Sequence, residues 1–313
     1  ENKINYLFIC GDLYEQEYIR KTTIEYINNL FKEIKETKIF ITPGNHDPII
    51  KNSYYNKFQW SENVIIFDEN VKKIEINSVI DLYGYGFNDF YLKTDMLSTI
   101  KVENEEKINI LLTHGAIDSG SAEDREYNPM SRRMLAESKF NYIALGHIHK
   151  KSEENSKFMY AGSTIALGFD ELGEHGVIEG EIDENSKTVK TQFIKFDKKE
   201  FIETEMNISE IISKEELIEK INSLNIEDNK YYKIILIGER NFEIDISEIS
   251  KLIENKNIIK IKDFTKLKQD IYKISEENTL KGIFVRNMLQ KLENNPEETD
   301  VILKAIEIGL EAM

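Results

Sequence analysis

Four apolar runs in the first half of the chain stop on polar residues of one kind. "INYLFIC" ends at Gly11-Asp12, "KIFITPG" leads into Asn45-His46-Asp47, "INILLT" meets His114, and "FNYIAL" gives way to Gly146-His147-Ile148-His149. Each run is short, nearly unbroken in hydrophobicity and rich in Ile, Tyr, Phe and Leu, as strands covered on both faces are. The first of them reads as the interior of a sheet. Between the first two, "TTIEYINNLFKEIKET" puts Ile24, Ile27, Leu30, Phe31 and Ile34 on one helical face. Strand, helix and strand in that order predict a right-handed crossover between parallel strands. Parallel strands in open α/β sheets align their carboxyl ends along one edge, where ligands bind, so the four ends are expected to converge.

After "TVKTQFIKF" the texture changes. "ISKEELIEKINSLN" reads as an amphipathic helix introduced by Ser213, and "YYKIILIGE" and "NIIKIKDF" read as strands, together a small α+β module. Two helices are predicted at the end. In "NTLKGIFVRNMLQKLEN", Leu280, Ile283, Phe284, Met288 and Leu292 line one side. Asn295-Pro296-Glu297-Glu298 then supplies the cap, first-turn proline and acidic first turn of the next helix.

Composition adds limits. With 40% hydrophobic and 31% charged residues the chain has the make-up of an ordinary globular protein, and no apolar stretch approaches the roughly 20 residues of a membrane span. A net charge of -16 argues against a surface that holds nucleic acid by clustered Lys and Arg, but leaves open nucleic acid held locally through metal ions. The single cysteine, Cys10, reads as a buried thiol, in keeping with a reducing cytoplasm.

The chemistry lies at the strand ends. Four of the five histidines sit there; one alone would read as a core histidine bonded to a carbonyl, four together would not. If "GHIH" is extended, His147 and His149 point to the same side and could serve adjacent ions. Gly11, Gly44, Gly115 and Gly146 suit places where backbone bends sharply or approaches a ligand closely. Glu15 reads as the start or cap of the following helix, with a supporting role behind a ligand as the alternative, His175 as structural, and Asp170 and Glu171 as weak candidates for lining a cleft. Tyr54, Tyr55, Phe58 and Trp60 read as cover for the core or a dimer partner in preference to base-stacking groups.

The ordered set Gly-Asp, "GNHD", a lone His after an apolar strand, and "GHIH" resembles the motif series of the calcineurin-like metallophosphoesterases. The contexts "ICGDLYE", "TPGNHDP", "LLTHG", "YIALGHIHK" and "YAGSTIALGFDE" are similar to SbcD-type DNA repair exonucleases. The resemblance implies a four-layer α-β-β-α sandwich over residues 1–197, a small capping domain over 198–264, and a C-terminal helical segment over 265–313. It implies two divalent ions, Mn ahead of Fe or Zn. Asp12 would bridge them, Asn45, His114 and His147 would complete one, and His149 would belong to the other. His46 would stabilise or protonate the leaving oxygen, and Asp47 would orient His46 through a hydrogen bond. DNA, an SbcC-like ATPase and a second copy of the chain are the implied partners.

That family opens with an Asp-x-His motif ahead of the first strand seen here, and no Asp-x-His occurs in this sequence. The resemblance therefore implies a chain that begins after that motif, with the second ion weakly held; a natural variant without it is the alternative. Three functions stay open: a DNA phosphodiesterase, a phosphatase or cyclic-nucleotide phosphodiesterase with the same metals, and a non-catalytic scaffold for DNA or the ATPase. The terminal helices either pack on the capping module or grip the ATPase's coiled coil.

Overall fold

The computed structural model describes residues 3–118, 126–152, 156–268 and 270–313. They form two compact units, Glu1–Ile202 and Glu203–Met313.

In the first unit, β1 (Tyr6–Cys10), α1 (Lys21–Glu33) and β2 (Lys38–Thr42) make the expected parallel crossover. The short helix α2 (Tyr54–Lys57) leads to β3 (Val64–Ile66), which pairs parallel with β2. A second sheet, in the order β4-β5-β6-β7-β8, comprises β4 (Lys72–Glu75), β5 (Ile80–Gly84), β6 (Ile108–His114), β7 (Tyr142–Gly146) and β8 (Phe158–Tyr160), with α3 (Arg132–Glu137) between β6 and β7. All its pairings are parallel except β4 with β5. A hairpin of β9 (Gly176–Asp183) and β10 (Thr188–Lys195) completes the unit.

Alternation along the strands fixes the layers. Phe40 of β2 turns inward with Phe8 and Cys10 to meet Leu82, Ile110, Leu112 and Ala144 of the second sheet. Ile39 and Ile41 face the other way, against Ile24 and Phe31 of α1. On the far side Leu111, Ile143 and Leu145 pack with Leu135 of α3 and Phe140. The result is an α-β-β-α sandwich. It explains the unbroken apolar runs: each strand is covered by a sheet on one face and a helix on the other, and every fully buried Ile or Leu contributes roughly 1.5–3 kcal/mol.

Three expectations change. The four ligand-bearing strand ends belong to two sheets, β1 and β2 to one and β6 and β7 to the other; a continuous apolar run looks the same whether a helix or a second sheet covers it. β1 is an edge strand, partly buried along its length, and not the interior of its sheet. On α1 the inward stripe is Ile24, Asn28 and Phe31, while Leu30 and Ile34 are exposed. Asn28 displaces them because its Oδ1 accepts the backbone N–H of Ser61 at 2.7 Å. Tyr54, Tyr55, Phe58 and Trp60 pack beside α1, with the Tyr55 and Trp60 rings stacked at 5.9 Å, so they cover the core.

The second unit holds a sheet in the order β11 (Glu200–Asn207), β12 (Lys230–Ile237), β14 (Ile258–Asp263), the last two parallel. A short pair, β13 (Glu239–Arg240) with β15 (Lys266–Leu267), lies alongside in sequence. Helix α4 (Lys214–Asn222) is capped as expected: the Ser213 Oγ accepts the N–H of Glu216. It and α5 (Ile246–Leu252) bury Leu217, Ile221 and Ile249. The tail folds as α6 (Ile271–Glu276), α7 (Leu280–Asn294) and α8 (Thr299–Ala312) around Val285, Ile302, Ile306 and Leu310. Of the side of α7 that the spacing suggested, Phe284, Met288 and Leu292 pack against this core, whereas Leu280 and Ile283 are exposed. Gly282 is the reason, since the Glu277 carbonyl oxygen sits where its Cβ would be, drawing the Gly282–Val285 side inward.

Candidate metal centre

His114, at the end of β6, is the centre of the site. It is buried, and three glycines from three other strand ends make room for it. A Cβ on Gly11 would lie 2.2 Å from its Nδ1, one on Gly44 2.7 Å from its Cε1, and one on Gly146 1.6 Å from the Cys10 carbonyl oxygen. That carbonyl accepts the His114 Nδ1–H at 2.7 Å, which leaves the lone pair on Nε2. Burial pulls the His114 pKa down to about 4, so the ring is neutral at neutral pH.

The Nε2 lone pair points at other lone pairs. Asn45 Oδ1 is 2.9 Å away and Asp12 Oδ2 3.3 Å; His147 Nδ1 stands 3.2 Å from the same Asn45 oxygen. Ligand atoms of Asp12, His114 and His147 all lie within 4.8 Å of one another. Acceptors converging on a neutral imidazole repel unless a cation lies among them, so the residues fit a divalent ion. Mixed carboxylate, amide and imidazole donors suit Mn, Fe or Zn. Two members of the trio are held at positive φ, Asp12 at 56° and His147 at 103°, conformations costly for non-glycine residues and characteristic of working sites. Burial raises the pKa of Asp12, opposed by the His46 N–H and nearby histidines.

His46 and His149 stand apart from this trio. The exposed His46 ring bonds through Nδ1 to Glu15 Oε2 at 2.6 Å, and its backbone N–H donates to Asp12 Oδ1 at 3.0 Å. Burial alone would lower its pKa, but Glu15, Asp12 and Asp47 together raise it. Asp47 does not bond the His46 ring. It is fully buried and accepts the N–H groups of Asp12, Leu13 and Gly44 and the hydroxyl of Tyr55, tying two strand ends together. His149 bonds through Nδ1 to Glu171. Glu171 is fixed in turn by His175, whose Nε2–H donates to the Glu171 carbonyl at 3.0 Å while its Nδ1 accepts the Ser163 hydroxyl at 2.8 Å.

Residues 1–151 match the family described as calcineurin-like phosphoesterase. This stretch is similar to that family. The chain is 26% identical over 183 residues to an uncharacterized metallophosphoesterase, YhaO, of Bacillus subtilis, covering 55% of this chain and 44% of that protein. It is 29% identical over 204 residues to the SbcD component of the nuclease SbcCD of Staphylococcus epidermidis, covering 54% of this chain and 52% of the relative. The chain thus spans about half the length of the curated relatives it matches.

Two further residues that the motif series did not single out stand beside this cluster. Glu15 neither starts nor caps α1, whose N-cap is Arg20, and the Glu15 carboxylate faces His46. Its spacing three residues after Asp12 was the available signal. Asn128 gave none. It is buried at φ 45°, and its Nδ2 donates to the carbonyl of His114 at 2.7 Å and to the Tyr85 hydroxyl at 2.7 Å. Its Oδ1 accepts the Met96 N–H at 3.1 Å. No helix among the described residues is long and apolar enough to cross a membrane.

Proposed function

We propose that the chain is a metal-dependent phosphodiesterase acting on DNA. The observation that carries this reading is the convergence of Asp12, Asn45, His114 and His147 on one point with no proton on His114 Nε2 at neutral pH. A divalent ion held by these four residues would supply positive charge to a phosphate oxygen and acidify water at neutral pH. Mn is the ion of choice, and His149 would serve a second ion, steadied by Glu171.

The chain's own groups divide the remaining work. His46, whose protonated form Glu15 favours, offers the ring nitrogen that Glu15 does not engage, Nε2, to the leaving oxygen. Asp47 holds the Asp12 and Gly44 backbones so that Asp12 keeps its strained conformation. The nuclease relative favours DNA over a small phosphomonoester. In this reading residues 198–264 help select the DNA structure and residues 265–313 dock an SbcC-like ATPase.

The test compares Mn-dependent cleavage of single-stranded DNA, a DNA hairpin and p-nitrophenyl phosphate. Cleavage of DNA is expected to depend on Mn and to fall at least about a hundredfold in Asp12→Asn. DNA cleavage untouched by Asp12→Asn sinks the site assignment; turnover of the phosphomonoester alone replaces the nuclease with a phosphatase.

A further inference from the structure

A column of rings runs from the buried cluster to the surface. The His114 and His147 rings meet edge to face at 5.2 Å, the Tyr127 ring lies 4.9 Å from His147, and the Tyr91 ring stacks on Tyr127 at 5.9 Å with an interplanar angle of 29°. Tyr91 is 51% exposed, so this stack is not core packing.

The column is held rigidly from below. Leu92 and Tyr127 form a parallel β-bridge, in which the Leu92 N–H donates to the Glu126 carbonyl and the Asn128 N–H to the Leu92 carbonyl. The Ala116 N–H donates to the Tyr127 carbonyl at 2.9 Å, two residues from His114. Gly115, at φ 153°, permits the approach: a Cβ there would lie 2.6 Å from the Asn128 carbonyl oxygen and 2.8 Å from that of Tyr127. Asn128 locks the arrangement through four hydrogen bonds. Among the described residues beside the stack, Lys93 and Glu126 pair at 2.8 Å. An exposed aromatic pair, built to a fixed spacing from a metal ligand and carrying no net charge, is suited to a flat, uncharged ring. In a chain of net charge -16, stacking also supplies affinity that phosphate contacts with lysines do not.

We propose that Tyr91 and Tyr127 form a stacking shelf that receives the nucleobase next to the phosphate being cleaved. The inference rests on the phosphodiesterase reading above and adds how that site recognises its substrate. It makes Tyr91 a determinant of substrate choice with no part in bond cleavage, and it is tolerant of base identity, because every base offers a π face.

The experiment uses the full chain and two trinucleotides that differ only in whether their central sugar carries a base or is an abasic tetrahydrofuran. Tyr91→Ala is expected to lower kcat/KM with Mn about tenfold on the base-bearing trinucleotide, through KM, and to leave the abasic one within about twofold. Tyr91→Phe, which keeps the ring, restores the wild-type preference. In parallel, a trinucleotide carrying 2-aminopurine is titrated in Ca, and its fluorescence is expected to be quenched by wild type and by Tyr91→Phe but not by Tyr91→Ala. Equal losses on both substrates, or quenching that survives Tyr91→Ala, overturns the shelf and leaves the phosphodiesterase reading standing. A chain that cleaves neither trinucleotide sinks that reading instead, and the 2-aminopurine titration still decides the shelf.

Discussion

At the scale of single residues, the acid in the proposed reaction is set by one hydrogen bond. Glu15 engages His46 Nδ1 and, with Asp12 and Asp47, raises the pKa of the ring. The imidazolium is the form that donates a proton, so activity carried by His46 is present below its pKa and lost as pH rises through it. Glu15→Gln removes a negative charge, lowers that pKa and moves the alkaline limb of the kcat profile to lower pH. The expected result is a several-fold loss at alkaline pH with little change on the acid side; a profile displaced vertically at all pH values would give Glu15 a purely structural task. The strand-end histidines and Asp12 were legible from the sequence, because a polar residue that closes an unbroken apolar run stands out. Glu15 was legible only as spacing, and Asn128 and Tyr127 not at all, since they enter from a loop whose path to His114 depends on the bare Cα of Gly115.

At the scale of elements, the site exists because two sheets approach closely where their strands end. Gly146 on β7 faces the Cys10 carbonyl of β1 so tightly that no side chain fits between, and the same carbonyl holds His114. Gly146→Ala must push the sheets apart at this point, and is expected to cost roughly 3 kcal/mol or more in denaturant unfolding and to abolish metal binding. Gly180, on β9, is the control: a Cβ there meets nothing closer than 3.8 Å, and Gly180→Ala is expected to stay within about 0.5 kcal/mol of wild type. Similar losses for both would mean that the sheet contact is not what positions His114. The strands themselves, the α1 crossover and the Ser213 cap followed from local pattern. Division of the strands between two sheets did not, because burial on both faces leaves the same unbroken run whichever layer supplies the cover. The stripe on α1 was misjudged at Asn28 for a related reason: a polar residue is drawn inward by a backbone N–H, that of Ser61, that lies 33 residues away.

At the scale of the whole molecule, the chain couples a calcineurin-like unit to a second unit whose last helices show apolar surface. Val285, Ile302, Ile306 and Leu310 already give α7 and α8 a core of their own, and Phe284 packs against Gly309 where the helices cross. Yet Leu280, Ile283, Val301 and Ile308 remain half or more exposed. Residues that neither fill this core nor carry charge are the ones a coiled-coil partner would cover in the ATPase docking proposed above. The two sets separate by mutation. Val285→Ala opens a cavity and is expected to cost about 2 kcal/mol of stability. Leu280→Glu combined with Val301→Glu touches only surface and is expected to leave the unfolding midpoint nearly unchanged, within about 0.5 kcal/mol per site, while abolishing co-elution with an SbcC-like coiled coil. Cleavage of a trinucleotide by the doubly substituted chain should match wild type, since neither residue belongs to the metal centre. Should the double variant still bind the coiled coil with wild-type affinity, the exposed apolar face of α7 and α8 is not the docking surface, and the ATPase assignment loses its structural support.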